Sequence, residues 1–568
     1  MEEIAARASE WGLHVELPLR LADPDAQAWD ETADLVIVGL GGAGVAAALE
    51  AVERGLSAIA LDHYEGGGSS AANGGVYYAG GSTSIQRQAG EDDSPEAMYH
   101  YLKLEVGDAV SDRTLRRFCE ESAATFEWLV AHGAKFDARV WKEKTSYPPL
   151  DYFLYHPDSS LAAPYARRAK PAARGHRAYA YNGKKAWGLG GAIYQPLREA
   201  ALKLGLRFHP YAEACQLALD ARGRVIGVKA LQIPAGTSAA RRFARSIAHA
   251  AKWFEILPPS FPLAALTYAI GRRYLAKARA IEARARVVRW YRARHGVVLS
   301  TGGFVLNTAM LAHYAPRYVR GLPNGTLGDT GAGLLLGASV GGALKRMDRI
   351  SAWRFINPPK AWAQGLLINA RGERFVNETL YGASLGDAIM AQPEGRAWIL
   401  LDGALRKTAL RQARDPQLVP FQRDVARVNL WFNCVRAPTL EALAERLSVD
   451  AATLRHTIEE YNCIARGERA DPYEKRAEEC AVLSQPPYCA IDASIDSRWL
   501  PMPIMTVGGL AVDEDSGLVL DDAGTPIAGL YAAGRNAVGV CSNVYVSGLS
   551  YADCIFSGRR AARHAAKK

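Results

Sequence analysis

The apolar positions of this chain first gather into an unbroken run at Leu35-Val36-Ile37-Val38, which ends against glycine. A run of that length reads as a buried parallel strand. Gly39, Gly41 and Gly44 follow in the spacing GxGxxG, and Val45 to Glu53 is an alanine-rich helical stretch closed by Gly55. A second apolar strand, Ser57 to Leu61, ends in Asp62, 23 positions after Gly39. Strand, glycine turn, helix, strand and terminal acid make a dinucleotide-binding βαβ unit. Gly39 permits the turn out of the strand, Gly41 lets the backbone approach a pyrophosphate, Gly44 lets the helix pack closely, and Asp62 can take ribose hydroxyls. Gly42 and Ala43 open the helix, whose free N–H groups and positive dipole end favour phosphate.

Further along, Ser94 to Phe136 carries apolar residues at helical spacing behind Pro95, through Met98, Leu102, Leu115, Phe118, Phe126 and Leu129. Ser146 to Asn182 holds seven aromatic residues without a period, among them Tyr147 and Tyr155, and reads as a surface loop in preference to a pocket wall. A helix and a β-hairpin with its turn at Asp220-Ala221-Arg222-Gly223 fill Gly188 to Arg224. Val297 to Leu299 is another buried strand, leading into Ser300-Thr301-Gly302-Gly303 and the glycine-rich stretch from Gly328 to Gly342. From about Ala343 to Arg498 such loops thin out, so a separate domain is expected there. Within it, Gly365 to Gly382 predicts a hairpin turning at Ala370 to Gly372, with Tyr381 presented at its end. Tyr545-Val546-Ser547-Gly548 leads into a last helix near Leu549 to His564. If that lead-in is extended, Tyr545 and Ser547 point the same way.

With 568 residues the chain needs two or three domains, and 49% hydrophobic and 22% charged residues are those of a folded enzyme. No apolar core stands behind the polar N-terminus and no run is long enough to span a bilayer, so neither a secretory signal nor a transmembrane helix is expected. Eight cysteines without a CxxC pair suit reduced thiols in a cytoplasm and argue against a zinc or iron–sulfur site. Charge is unevenly spread. Residues 239–294 hold thirteen Lys or Arg against Glu255 and Glu282, a balance of +11 in a chain of formal charge +9. Aromatic and aliphatic side chains are interleaved there, which predicts an amphipathic helix or helical hairpin lying on the inner face of a membrane. Arg241, Arg242, Arg245, Arg272, Arg273 and Lys277 would meet anionic headgroups, and Trp253, Phe254, Leu257, Phe261 and Leu263 would enter the acyl boundary. A solvated helical hairpin used for oligomer contacts is the alternative reading, and nucleic acid is not the expected partner, because no recognition motif accompanies the charge. Removing residues 239–290 is expected to spare cofactor binding.

Directly after Asp62 comes Gly66-Gly67-Gly68-Ser69-Ser70-Ala71-Ala72-Asn73-Gly74-Gly75, and near the end stand Thr506-Val507-Gly508-Gly509-Leu510 and Gly529-Leu530-Tyr531-Ala532-Ala533-Gly534. In these segments the chain resembles flavoproteins of the fumarate reductase and succinate dehydrogenase superfamily. The resemblance implies an α/β fold: a Rossmann-like FAD-binding domain with an inserted α+β capping, catalytic domain. The implied division is an N-terminal extension (1–32), a first FAD-binding part (33–342, containing the basic insert 239–294), the cap (343–498) and a second FAD-binding part (499–568). FAD would be held by Gly39, Gly41, Gly42, Ala43, Gly44 and Asp62, by Ser69, Ser70, Asn73, Gly74 and Gly75, and by Thr301, Gly302, Asp329, Gly534, Arg535 and Ser550; no metal is expected.

Tyr381 and the Tyr-x-Ser-Gly pattern at 545–548 are similar to the 3-ketosteroid dehydrogenases that form a 4-ene. That likeness implies Tyr545 on the substrate carbonyl, Ser547 taking a proton with help from Tyr381, hydride passing to the flavin, and an external electron acceptor. The 1-ene-forming relatives carry glycine four residues after the tyrosine, where this chain has Leu549. A fumarate-reductase-like ene-reductase is the other alternative, and it would need convergent Arg and His residues.

Overall fold

The computed structural model describes residues 2–567. The βαβ unit is present as β1 (Glu31–Val38), α1 (Gly42–Glu53) and β2 (Ala58–Leu61). Later come β3 (Arg207–His209), β4 (Ala212–Leu219), β5 (Val225–Gln232), α2 (Ser238–Glu255), α3 (Ala264–Ala285) and β6 (Val287–Leu299). Then follow α4 (Gly382–Met390), α5 (Pro420–Phe432), β7 (Leu518–Leu520), β8 (Pro526–Ala532) and α6 (Leu549–Ala565).

These strands and Leu19–Arg20 form a nine-stranded sheet in the order Leu19–Arg20, β4, β5, β6, β1, β2, β3, with β8 joined to β6 and β7 to β8. The long strand β6 organises it. Its first half pairs antiparallel with β5; from Tyr291 onward it runs parallel to β1, across a register shift at Ala293 to Gly296, and its end at Val297 to Leu299 also runs parallel to β8. A strand buried on both sides must be apolar on both faces, and Val297, Val298 and Leu299 are fully buried. Helix α6 lies on α1, with the Gly558 Cα so near the Ala43 carbonyl that an added Cβ would meet its oxygen at 2.3 Å. Arg559 and Arg563 of α6 clamp the buried Glu50 of α1 at 2.6 and 3.0 Å. The first turn of α1 is thereby held at the C-terminal edge of the parallel strands, where nucleotides bind in such sheets.

A second, four-stranded antiparallel sheet lies between residues 366 and 492: Leu366–Ile368, Trp398–Leu401, Tyr488–Asp492 and Cys434–Ala437. The hairpin expected at Gly365 to Gly382 is only half formed. Past the turn a single bridge, Ile368 to Arg374, replaces the second strand. Arg374 is drawn instead into a buried ion cluster with Glu378 (2.8 Å) and Asp471 (2.7 Å), and Lys475 joins Glu378 at 2.9 Å. Tyr381 consequently sits at the N-terminus of α4, 2% exposed, and is not the tip of a ribbon.

The basic insert also differs from its expected bounds. Its helical hairpin is α2 and α3, whereas Arg289, Arg292 and Arg294 belong to β6 and pair with Asp30, Asp25 and Asp34. Much of the apolar surface assigned to lipid holds the hairpin together. The Phe254 ring packs on Gly271 and Tyr268, and Phe261 stacks edge-on against Trp499 at 5.3 Å. Within α2, α3 and the turn between them, the large apolar side chains left in solvent are Ile256, Leu263 and Leu266, the last two 76% and 62% exposed. No described helix is long and apolar enough to cross a membrane.

Candidate active site

A single cavity of about 670 Å³ runs along the C-terminal edge of the parallel strands. The first turn of α1 contributes Gly39, Gly41, Gly42 and Ala43, and Asp62 stands at the end of β2. The glycine loop supplies Ser69, Ser70, Asn73 and Gly74. Across from them lie Thr301, Gly302, Asp329, Gly534, Arg535 and Ser550. Two expected residues do not face the cavity. Gly44 packs on the Gly39 carbonyl, where a Cβ would come within 2.0 Å, and Gly75 has a positive φ of 63° with the Leu189 backbone against it.

The polar groups of this half hold one another in place. Asp62 accepts the N–H groups of Leu40 and Tyr64 at 2.9 and 2.8 Å, which turns the chain at the strand end. Ser70 Oγ accepts the Gly42 N–H at 3.0 Å. Asp329 pairs with Arg535 at 2.6 Å and accepts hydrogen bonds from Ser69 and from the Thr326 N–H. This half suits FAD on two observations. At Gly41 a Cβ would project into the cavity, with nothing nearer than the Gly67 oxygen at 3.8 Å. Arg535 and Tyr551 are among the residues lining the cavity, and Arg535 Nη1 and the Tyr551 hydroxyl are buried without a hydrogen-bond partner in the protein, so a cation and an unpaired donor border the place a polyanionic ligand would take.

The other half is apolar and aromatic. Tyr381 and Tyr545 share a cluster with Trp353, Phe355, Met505 and Val507, with Trp353 edge-on to Tyr545 at 4.7 Å and Phe355 to Tyr381 at 5.9 Å. Ser547, 4% exposed, enters the same space. Its Oγ lies 3.5 Å from the Tyr155 hydroxyl, and it also faces the Tyr381 and Tyr545 phenols closely enough to favour their charged forms. Burial outweighs that help and pushes all three phenols above the usual tyrosine range, so each is a neutral donor at physiological pH. Behind Tyr155 and Tyr147 lies Arg177, fully buried, with its guanidinium donating to the Pro148 and Leu150 carbonyls and pushed down by burial to about 10.

Tyr155 and Tyr147 were missed in the sequence because their stretch has no period. Part of the aromatic segment expected on the surface is instead folded inward on the short sheet Val76–Tyr78, Gly175–Arg177, Leu154–Tyr155 and Val140–Trp141, with Tyr147 lining the cavity and Tyr155 buried beside Ser547. Trp353, Phe355 and Phe421 also line this end and gave no motif. Among the described residues lining the cavity, Arg535 is the one arginine and there is no histidine. It stands in the cofactor half, so the lining of the aromatic end lacks the convergent Arg and His residues that a dicarboxylate would need.

Residues 34–548 match the family described as FAD binding domain. The chain is 35% identical over 520 residues to 3-oxo-5-alpha-steroid 4-dehydrogenase from Comamonas testosteroni, covering 91% of this chain and 95% of that protein. It is 26% identical over 570 residues to 3-oxosteroid 1-dehydrogenase from Mycobacterium tuberculosis, covering 90% and 94%. Its fold superimposes with a TM-score of 0.79 on the crystal structure of 3-ketosteroid-Δ4-(5α)-dehydrogenase from Rhodococcus jostii RHA1 in complex with 4-androstene-3,17-dione, at 30% identity over 97% of this chain and 100% of that one. The protein therefore belongs to the FAD binding domain family, as a flavin-dependent oxidoreductase in the group that includes the 3-oxo-5-alpha-steroid 4-dehydrogenase.

Proposed function

We propose that this enzyme introduces a double bond between carbons 4 and 5 of 5α-3-ketosteroids, with Tyr545, Ser547, Tyr381 and Tyr155 carrying the proton chemistry. The observation that carries the reading is the Ser547 hydroxyl set among three phenols at an apolar, aromatic cavity end. A hydrogen on carbon 4 becomes removable when the enolate forming at the carbon 3 ketone is stabilised, and a neutral, buried Tyr545 is suited to donate to that oxygen. Ser547 would accept the carbon 4 proton as it passes its own to a neighbouring phenol, Tyr155 or Tyr381, which in turn releases its hydroxyl proton toward solvent, because a serine hydroxyl alone is a weak base. Bound FAD supplies the acceptor for the hydride from carbon 5. Gly41, Ser70, Asn73, Asp329 and Arg535 would hold it, and an external acceptor would take the electrons onward.

Peripheral contact with the inner face of a membrane belongs to the same proposal. It is supported by Ile256, Leu263 and Leu266 at the hairpin end and by the exposed basic residues Arg272, Arg273 and Lys277 on α3. A poorly soluble substrate that resides in bilayers gives such contact a use. Incubating the enzyme with saturated 3-ketosteroids and identifying the products by mass spectrometry and NMR tests the reaction. A 4-ene product is expected, and a 1-ene product or none would overturn it.

A further inference from the structure

In a βαβ nucleotide fold the acid ending the second strand meets the adenosine ribose. The cavity beyond Asp62 is therefore its adenine end. Tyr64 and Tyr211 form one side of it, and the other side comes from the insert: Phe243, Ala244, Ile247, Ala248 and Ala251 of α2. Those positions recur at helical spacing, so one face of α2 is given to the cavity. That face is uncharged, while Arg241, Arg242 and Arg245 are turned to solvent. Phe243 is 1% exposed, lies parallel to Tyr64 with ring centroids 6.4 Å apart, and meets Tyr211 edge-on at 5.6 Å.

The hairpin is fastened at the same place. His63, next to the ribose acid, bonds Glu282 of α3 at 2.7 Å, and Arg286 just beyond α3 pairs with Glu213 of β4 at 2.8 Å. A hairpin that served only to reach a membrane would gain nothing from a row of small, uncharged side chains along the cofactor cavity, backed by a buried aromatic ring. An adenine, flat and polarisable with no charge, is the part of FAD that such a wall suits.

We propose that α2 is the adenine wall of the FAD site, with Phe243 and Ile247 as cofactor-binding residues, and that the contacts of His63 with Glu282 and of Arg286 with Glu213 clasp this wall shut. The proposal rests on FAD being the cofactor but not on the steroid reaction. It also reverses the expectation that removing residues 239–290 would spare cofactor binding, since that deletion takes away both the wall and Val287 to Trp290, most of the part of β6 that pairs with β5.

The test titrates full-length apoprotein with FAD and, separately, with FMN, which lacks the adenosine, following flavin fluorescence. Phe243→Ala should weaken FAD binding about tenfold or more, the scale of one base-on-ring contact, and leave FMN binding unchanged. Glu282→Gln, which touches no cavity residue, should speed FAD release while FMN release stays the same. Circular dichroism and thermal unfolding of each apoprotein establish that it is folded. Equal weakening of FAD and FMN, or FAD binding unchanged in both variants, would overturn the proposal.

Discussion

Ser547 Oγ and the Tyr155 hydroxyl lie 3.5 Å apart although 392 positions separate them in the chain. The contact joins the loop before α6 to the aromatic segment, so the proposed proton acceptor and a neighbouring phenol come from distant parts of the chain. Removing the hydroxyl in Ser547→Ala should lower kcat about 10²- to 10⁴-fold, the usual worth of a positioned acid or base. Tyr155→Phe should lower it less, because Tyr381 also faces Ser547. Bound flavin, read from its absorbance, should be the same in both variants; turnover equal to the parent enzyme would remove Ser547 from the mechanism.

Tyr545→Phe tests the carbonyl contact. Loss of one donor to a developing oxyanion costs about 10²- to 10³-fold in kcat. Rapid-mixing measurement of flavin reduction should show that loss in the chemical step, with steroid affinity changed far less. An effect confined to KM would make Tyr545 a wall of the pocket and nothing more.

The cap has a predictable acid limit. Burial alone would raise the Glu378 carboxyl, but Arg374 and Lys475 outweigh it and hold the carboxyl down at about 2 against an ordinary 4.5. A depressed carboxylate stabilises the folded state above its unfolded pKa and loses that contribution as pH falls through the folded one. About 3 kcal/mol should thus disappear between pH 4.5 and 2, at roughly 1.4 kcal/mol per pH unit crossed. Denaturant unfolding across this range should show the added slope in the parent protein and not in Glu378→Gln, which starts less stable because Lys475 is left buried without its anion.

Membrane contact predicts a separable phenotype. Leu263→Glu with Leu266→Glu should abolish co-sedimentation with anionic vesicles, and high salt should weaken it in the parent protein. Turnover of steroid dispersed in detergent should stay unchanged. Vesicle binding equal to the parent protein would leave the hairpin with its cofactor role alone.

The parts of this molecule legible in the sequence are those where backbone geometry dictates residue type. At Gly41 the backbone would approach a phosphate, and β1 must be apolar on both faces, so spacing and hydropathy were enough to mark the place. The loop Gly66 to Gly75 and the Tyr545 to Gly548 stretch were singled out by resemblance, and the fold brings residues of both to the cavity. Tyr155 was not, because its role arises from a tertiary contact with no local signature. Arg374 misled for a related reason: a long-range ion cluster with Asp471 overrode the local preference for a hairpin. Phe243 was visible only as one apolar residue in a basic stretch, and which face of α2 it occupies depends on how α3 folds back.

The most direct test of the central claim is anaerobic rapid mixing of the enzyme with a saturated 5α-3-ketosteroid and with the same steroid deuterated at carbon 5. The account predicts bleaching of the flavin absorbance, slowed by the deuterium, and one equivalent of 4-ene product. Flavin that stays oxidised, or bleaching that is insensitive to deuterium at carbon 5 and sensitive to deuterium at carbon 1, would contradict it.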